Sequence, residues 1–152
     1  EDPMQDDPKP RYTVVEDGEF AGWRRQTAQS FLEIAGPAYS KREPDRSIVT
    51  AMRAEPHHAN GLGVVHGGAL MSLADNALFN IATDALKGSD WSVTVTMNTE
   101  FLDAAQIGDF IEARGEVVRA GGSMIFVRGL VKAEGRPCLA FSGTIKKGKK
   151  RS

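Results

Sequence analysis

The chain has 152 residues, 41% of them hydrophobic and 26% charged, with a formal net charge of −1. That length supports one domain with its own core, and the near-neutral charge leaves nothing global to draw the chain to nucleic acid or to an anionic membrane. No apolar run approaches the ~20 residues of a membrane-spanning helix, and the single cysteine, Cys138, excludes an intrachain disulfide framework and fits a reducing, cytoplasmic setting.

Residues 1–10, EDPMQDDPKP, hold three prolines and four acidic residues. They predict a disordered leader and lack the basic-then-apolar order of a signal peptide. In residues 18–36, Phe20, Trp23, Thr27, Phe31 and Ile34 recur every three to four positions. That spacing predicts an amphipathic helix ending at Gly36-Pro37. Residues 46–56 alternate loosely and predict a strand. HHANGLGVVHGG, from His57 to Gly68, has four glycines in twelve residues and predicts a loop. A long helix follows over 68–86 and stops before the turn-like KGSD.

Beyond it the chain reads as strand throughout. Segments 91–102, 109–119, 123–135 and 136–148 are separated only by DAAQIG, AGG and AEGR or less. Short separators imply antiparallel hairpins. The fold class expected is therefore α+β, an antiparallel sheet with a helix against one face. Residues 11–147 form a single domain on this reading. Residues 148–152 are a basic tail, either solvated or helping to hold an anionic ligand.

The long helix carries the informative residue. At 100° per residue, Leu70, Leu73, Ala74, Ala77, Leu78, Ile81 and Ala85 share one arc, which Met71, Phe79, Ala82 and Leu86 extend. Asp75 falls inside the extended arc, and Ser72, Asn76, Asn80 and Thr83 form a separate polar stripe. A carboxylate on an apolar flank is costly unless paired or hydrogen-bonded, and no basic residue nearby in sequence is an obvious partner. At the start of the helix, Gly67-Gly68 offers free N–H groups that favour an oxyanion. Gly68 and Asp75 are seven residues apart, about 10 Å at 1.5 Å per residue. One carbonyl cannot touch both ends within one helix. Either a substrate bridges the gap, or a second copy brings its own Asp75.

The run NGLGVVHGGALMSLAD gives Asn60, then His66-Gly67-Gly68, then Asp75. This spacing resembles the signature of hotdog-fold acyl-CoA thioesterases, the phenylacetate-degradation-type branch in particular. VTVTMNTEFLDAAQIGD (93–109) is similar to the strand that follows in that family, and the resemblance extends over roughly residues 46–147. It implies a hotdog fold, with an antiparallel sheet wrapped around a long central helix. It also implies a homodimer or homotetramer with active sites between subunits, and hydrolysis of an acyl-CoA thioester without a metal or cofactor. By matching position, the Gly67 N–H would polarise the carbonyl with His66 beside it, and Asn60 would orient the thioester. Asp75 would be the general base or the nucleophile, and Thr94 would help place the water. The hairpin RAGGSM matches a segment that holds the CoA nucleotide, which brings in Arg119, Gly121, Gly122 and Ser123. A tight turn alone would equally use those glycines. Met71, Phe79, Met97 and Phe101 are candidates for an acyl channel, and core packing is their plainer use.

Other chemistries fit less well. His57, His58 and His66 lack the cysteine partners of a structural zinc site. GxSxG and GxGxxG motifs are absent. Cys138, in a strand, reads as core. The loops typical of dehydratases and hydratases with the same fold are also missing. A non-catalytic acyl-CoA sensor is the alternative, and so is a scaffold that uses the fold to oligomerise. Neither needs a helix carboxylate.

Overall fold

A computed structural model describes residues 11–27 and 30–151. Its eight strands are β1 (Tyr12–Val14), β2 (Arg24–Gln26), β3 (Tyr39–Arg42), β4 (Ile48–Arg53), β5 (Trp91–Phe101), β6 (Phe110–Ala120), β7 (Met124–Ala133) and β8 (Arg136–Gly148). All pair antiparallel in one sheet, in the order β1-β2-β3-β4-β6-β7-β8-β5. Helix α1 is Ser30–Ala35, helix α2 is Gly67–Ile81, and a 3-10 turn occupies Pro56–His58.

Helix α2 joins β4 to β5, which lie four strand positions apart. At ~4.8 Å per position that is about 19 Å, and a helix of this length spans about 22 Å. Its packing face is set by small residues. Ala74, Ala77 and Ala82 are fully buried beside Leu70, Leu73 and Leu78. Gly143 on β8 makes the approach possible, because a Cβ there would stand 2.5 Å from a Leu78 methyl. The sheet returns Ile111, Ile125, Val131, Leu139 and Ile145 to the same core. None of the helices of the described residues is long and apolar enough to cross a membrane.

Three sequence expectations need correction. The helix expected over 18–36 is mostly the β1–β2 hairpin, and among the described residues of that span the six of α1 are helical. Gly18 and Gly22 turn the chain at φ 81° and 82°, a conformation that ends helices. Phe20 is buried by stacking on Tyr39 and Phe110, while Phe31 and Ile34 stay exposed. Strand β3 went unpredicted. The β3–β4 hairpin turns at Pro44-Asp45, where Asp45 Oδ1 accepts from both the N–H and the hydroxyl of Ser47. Helix α2 also ends at Ile81 rather than near Leu86, and the chain continues in turns to Gly88. Thr83 Oγ1 donates to Asn80 O there, and Asp84 is drawn to Arg42 and Lys87. The leader of residues 1–10 lies outside the described residues. At the basic tail, Lys149 O accepts from Trp91 and the Lys150 N–H donates to Asp90.

Candidate active site

The loop before α2 is closed by Asn60. Its Oδ1 accepts from the N–H groups of Leu62 (2.9 Å) and Val64 (3.2 Å). The Val65 N–H then donates to Ala105 O, pinning the loop to the segment after β5. Asn60 thus has a structural task that the glycine-rich sequence around it did not suggest. Its Nδ2 has no partner among the described residues. His66 caps the helix, with Nδ1 accepting from the Gly68 N–H at 2.8 Å and its own N–H donating to His58 O. The ring proton therefore lies on Nε2. Histidine is not a favoured N-cap, so its place just before the first helical residue was the one available signal. The Gly67 N–H has no partner among the described residues and carries the positive end of a helix of 15 residues. Asn60, Gly67, Leu70 and Phe101 line one cavity of about 380 Å³.

Asp75 is half-buried, eight residues or just over two turns beyond Gly67. Thr94 Oγ1, on β5, donates to Asp75 Oδ1 at 2.7 Å. No Lys, Arg or His of the described residues forms an ion pair with it. Asp75 lines a second cavity, of about 720 Å³, whose wall includes the whole polar stripe Ser72, Asn76, Asn80 and Thr83 together with Phe79. Tyr12 and Arg24 of the β1–β2 hairpin and Phe31 of α1 line it too. Sequence reasoning missed Arg24 and Phe31 because it read residues 18–36 as one continuous helix, and it gave the segment of Tyr12 no element. Within one chain, then, Asn60 and Gly67 share one cavity, Asp75 and Thr94 are joined, and the two groups stay apart.

The β6–β7 hairpin lines neither cavity. Arg119, Gly121, Gly122 and Ser123 are all exposed. The turn is tied by the Gly121 N–H to Met124 O and by the Lys147 N–H to Ser123 O. Register carries Ile125 to Ile145 and Ile145 to Thr94, so the hairpin is at Thr94's end of the sheet, about 10 Å away over two strand steps. The other histidines serve the fold. His58 is buried, accepts from the Glu55 N–H at Nδ1 and bonds Ala35 O through Nε2, and His57 Nε2 meets Gly36 O. Met71 is exposed, Met97 packs against the core, and Phe79 and Phe101 line one cavity each.

Known proteins bear on this arrangement. A sequence model of the thioesterase superfamily matches residues 62–140. A Pseudomonas aeruginosa protein named as an esterase is 30% identical over 112 residues, covering 74% of this chain and 84% of that one. Human acyl-coenzyme A thioesterase 13 is 28% identical over 102 residues, covering 65% of this chain and 70% of its own length. Among solved structures, a variant of the phenylacetic acid degradation protein PaaI from Thermus thermophilus superposes with a TM-score of 0.66 at 25% identity, covering 78% of this chain and 98% of that one. With its sheet wrapped on α2 and its HGG–Asp helix, the chain belongs to the thioesterase superfamily and has the hotdog fold.

Proposed function

We propose that the protein hydrolyses acyl-CoA thioesters to free acid and CoA, at sites assembled from two copies of the chain. One observation carries this reading. Strand β5 is one edge of the sheet, and it touches both halves of the proposed site at opposite ends. Thr94 near its start holds Asp75, and the ring of Phe101 at its end lies against Gly67. The two positions are seven residues apart, about 24 Å along a strand. Antiparallel pairing of two β5 edges about their middle sets the Thr94 end of one copy beside the Phe101 end of the other. An exposed edge of 11 residues with Val93, Val95 and Phe101 uncovered suits such pairing. A homodimer is the minimum assembly, and a homotetramer of two such dimers is compatible with it.

In this arrangement the thioester carbonyl accepts the Gly67 N–H, and the Nδ2 of Asn60 orients the thioester. His66 holds the first helical turn through Gly68, which keeps the Gly67 N–H directed at the ligand. Asp75 of the other copy acts as general base on water or as nucleophile on the carbonyl carbon, with Thr94 fixing one of its oxygens. In the first route the C–S bond breaks as water adds to the acyl carbon, and in the second as the acyl–Asp75 anhydride forms, which water then opens. The CoA thiolate takes up a proton that the water gives up. An oxyanion donor contributes about 3–4 kcal/mol to the barrier in well-studied enzymes, and a positioned base about 10²–10⁴-fold in rate. Arg119, with the exposed backbone at Gly121, Gly122 and Ser123, meets the CoA phosphates. A cytoplasmic setting belongs to the same reading.

The test is a free-thiol release assay over acyl-CoA esters of aryl and aliphatic acids. Release from at least one ester, lost in Asp75→Asn, is the expected result. Binding of esters with no release from any of them would favour a sensor over an enzyme. Rapid quench of a single turnover separates the two roles of Asp75, because only a nucleophilic carboxylate forms a covalent acyl anhydride with the substrate; in heavy-oxygen water, label in the Asp75 carboxylate would show the same intermediate opened by attack at the Asp75 carbon.

A further inference from the structure

The polar stripe of α2 is three parts satisfied and one part not. Ser72 Oγ donates to Gly68 O, Asn80 Nδ2 to Thr50 Oγ1, and Thr83 Oγ1 to Asn80 O. Asn76 Nδ2 is buried and has no hydrogen-bond partner among the described residues. A buried donor left unsatisfied destabilises a fold, and native folds keep only a few, each of which calls for an explanation. Asn76 follows Asp75 directly and belongs to the wall of the same cavity. The terminal torsion of an asparagine is broad, so the amide turns into that space at little cost. Also lining the cavity, Arg24 stacks on the Tyr12 ring, 4.4 Å from guanidinium carbon to centroid, and forms no ion pair with the described residues. The cavity beside Asp75 therefore holds one buried donor without an acceptor among the described residues, the Asn76 amide, together with the exposed guanidinium of Arg24 and the apolar surface of Phe31 and Phe79.

We infer that Asn76 is a specificity-determining residue whose amide donates to an oxygen on the acyl group, so that the enzyme prefers acyl-CoA esters bearing a hydrogen-bond acceptor beyond the thioester over their plain hydrocarbon counterparts. The inference rests on the proposal that Asp75 marks the hydrolytic site. A site that hydrogen-bonds a substrate oxygen rejects the analogue lacking it, because its own polar group is then left unpaired. A purely apolar pocket discriminates far less between the two. Asn76 makes no bond to the reacting carbonyl in this scheme, so its removal alters choice of substrate rather than the chemical step.

The experiment uses matched esters, each saturated acyl-CoA against its 3-hydroxy and its terminal-hydroxy counterpart. Turnover is measured on the full chain and on Asn76→Leu. Binding of the same esters is measured by calorimetry in Asp75→Asn, with and without Asn76→Leu, so that a preference is read without turnover. The parent should favour one oxygenated series by about 10-fold or more in kcat/KM, and Asn76→Leu should erase most of that preference while retaining the plain esters as substrates. Asn76→Ala provides the same comparison if the leucine variant does not fold. Equal preference in parent and variant overturns the inference, and a lowered Tm with that result would mark Asn76 as a structural residue only. If no ester turns over but the Asn76-dependent binding preference persists, the hydrolytic reading falls and the specificity role stands.

Discussion

Thr94 Oγ1 donates to Asp75 Oδ1 across 2.7 Å, joining the edge strand to the middle of the buried helix. The bond fixes which carboxylate oxygen faces the strand and leaves the other for the cavity. It also answers how a carboxylate persists on a helix whose neighbours Ala74, Ala77 and Leu78 are fully buried. Asp75 is half-buried and, among the described residues, hydrogen-bonded once and not neutralised by a cation. Such a carboxylate is held in position without its charge being cancelled. Asp75→Asn keeps the shape and the acceptor for Thr94 but removes the charge. We expect kcat to fall by about 10²-fold or more, with a Tm equal to or above that of the parent, since an active-site charge in a partly apolar place opposes stability. Steady-state thiol release and thermal melting measure the two, and hydrolysis at the parental rate would take Asp75 out of the mechanism.

Thr94→Val removes the hydroxyl and keeps the branched shape on a strand. A hydrogen bond to a charged group contributes about 1.5–3 kcal/mol, which sets the scale of the rate effect at roughly 10- to 10²-fold if all of it orients the carboxylate. The loss should appear in kcat, with KM little changed, because Thr94 does not reach the ester. An unchanged kcat would mean that water replaces the hydroxyl without consequence.

The parts of this molecule that were legible from sequence share a property: their patterns are local and long. The apolar arc of α2 repeats over four turns, and β5 to β8 alternate over ten or more residues between short turns, so period alone identifies them. The N-terminal hairpin was not legible for the opposite reason. Its strands are three residues each, too short to show a period, and Phe20, Trp23 and Thr27 happen to fall at helical spacing. What decides their structure is β3, which pairs with β2, and Phe110, which packs on Phe20 from 90 positions away. The residues of the proposed site were picked out in the sequence through the HGG–Asp spacing. Its division into two cavities was legible only as a distance, and the loop-closing bonds of Asn60 not at all, since those depend on where residues 62 and 64 fold back.

Gly67 can be tested without breaking the helix, because its backbone is not in the left-handed region. A Cβ there would lie 3.0–3.1 Å from two atoms of the Phe101 ring. That ring is about half exposed and can swing aside. Gly67→Ala should therefore cost less than about 1 kcal/mol, or a few degrees in Tm, while crowding the approach to the one free N–H. Gly67→Val adds two more methyl groups and should lose more of both. We expect kcat/KM to fall by at least about 10-fold in the alanine variant and further in the valine one. Full activity in Gly67→Val would exclude the helix start as the carbonyl's contact.

Cys138 bears directly on how activity is measured. It is the only cysteine, it is fully buried, and its Sγ donates to Val131 O at 3.3 Å. Burial pushes its thiol above the ordinary cysteine range, so even less thiolate exists at mildly alkaline pH than in a free cysteine. A thiol reagent such as Ellman's should therefore find no reactive group in the native protein over the minutes of an assay and one per chain in guanidinium. Rapid reaction of the native protein would show that β8 opens readily, and thiol release would then need correcting for the enzyme itself.

Asn60 calls for two substitutions, because it does two separable things. Its Oδ1 accepts two backbone N–H groups that close the loop, and its Nδ2 is free in the cavity of Gly67. Asn60→Ala removes both. Losing the shared acceptor should cost about 1–2 kcal/mol, so a fall in activity of this variant cannot be assigned to chemistry alone. Asn60→Asp keeps the acceptor, strengthens it with charge, and deletes only the donor. Its Tm should stay within a few degrees of the parent. If Nδ2 orients the thioester, kcat/KM in Asn60→Asp should fall by about 10-fold or more at neutral pH, aggravated by a negative charge placed near a carbonyl oxygen that becomes negative. The pattern expected is thus a stable, slow aspartate variant beside an unstable, slow alanine variant. An aspartate variant as fast as the parent, beside an alanine variant that is merely unstable, would reduce Asn60 to the clasp of its loop and leave the Gly67 N–H as the sole donor to the substrate on that side of the site.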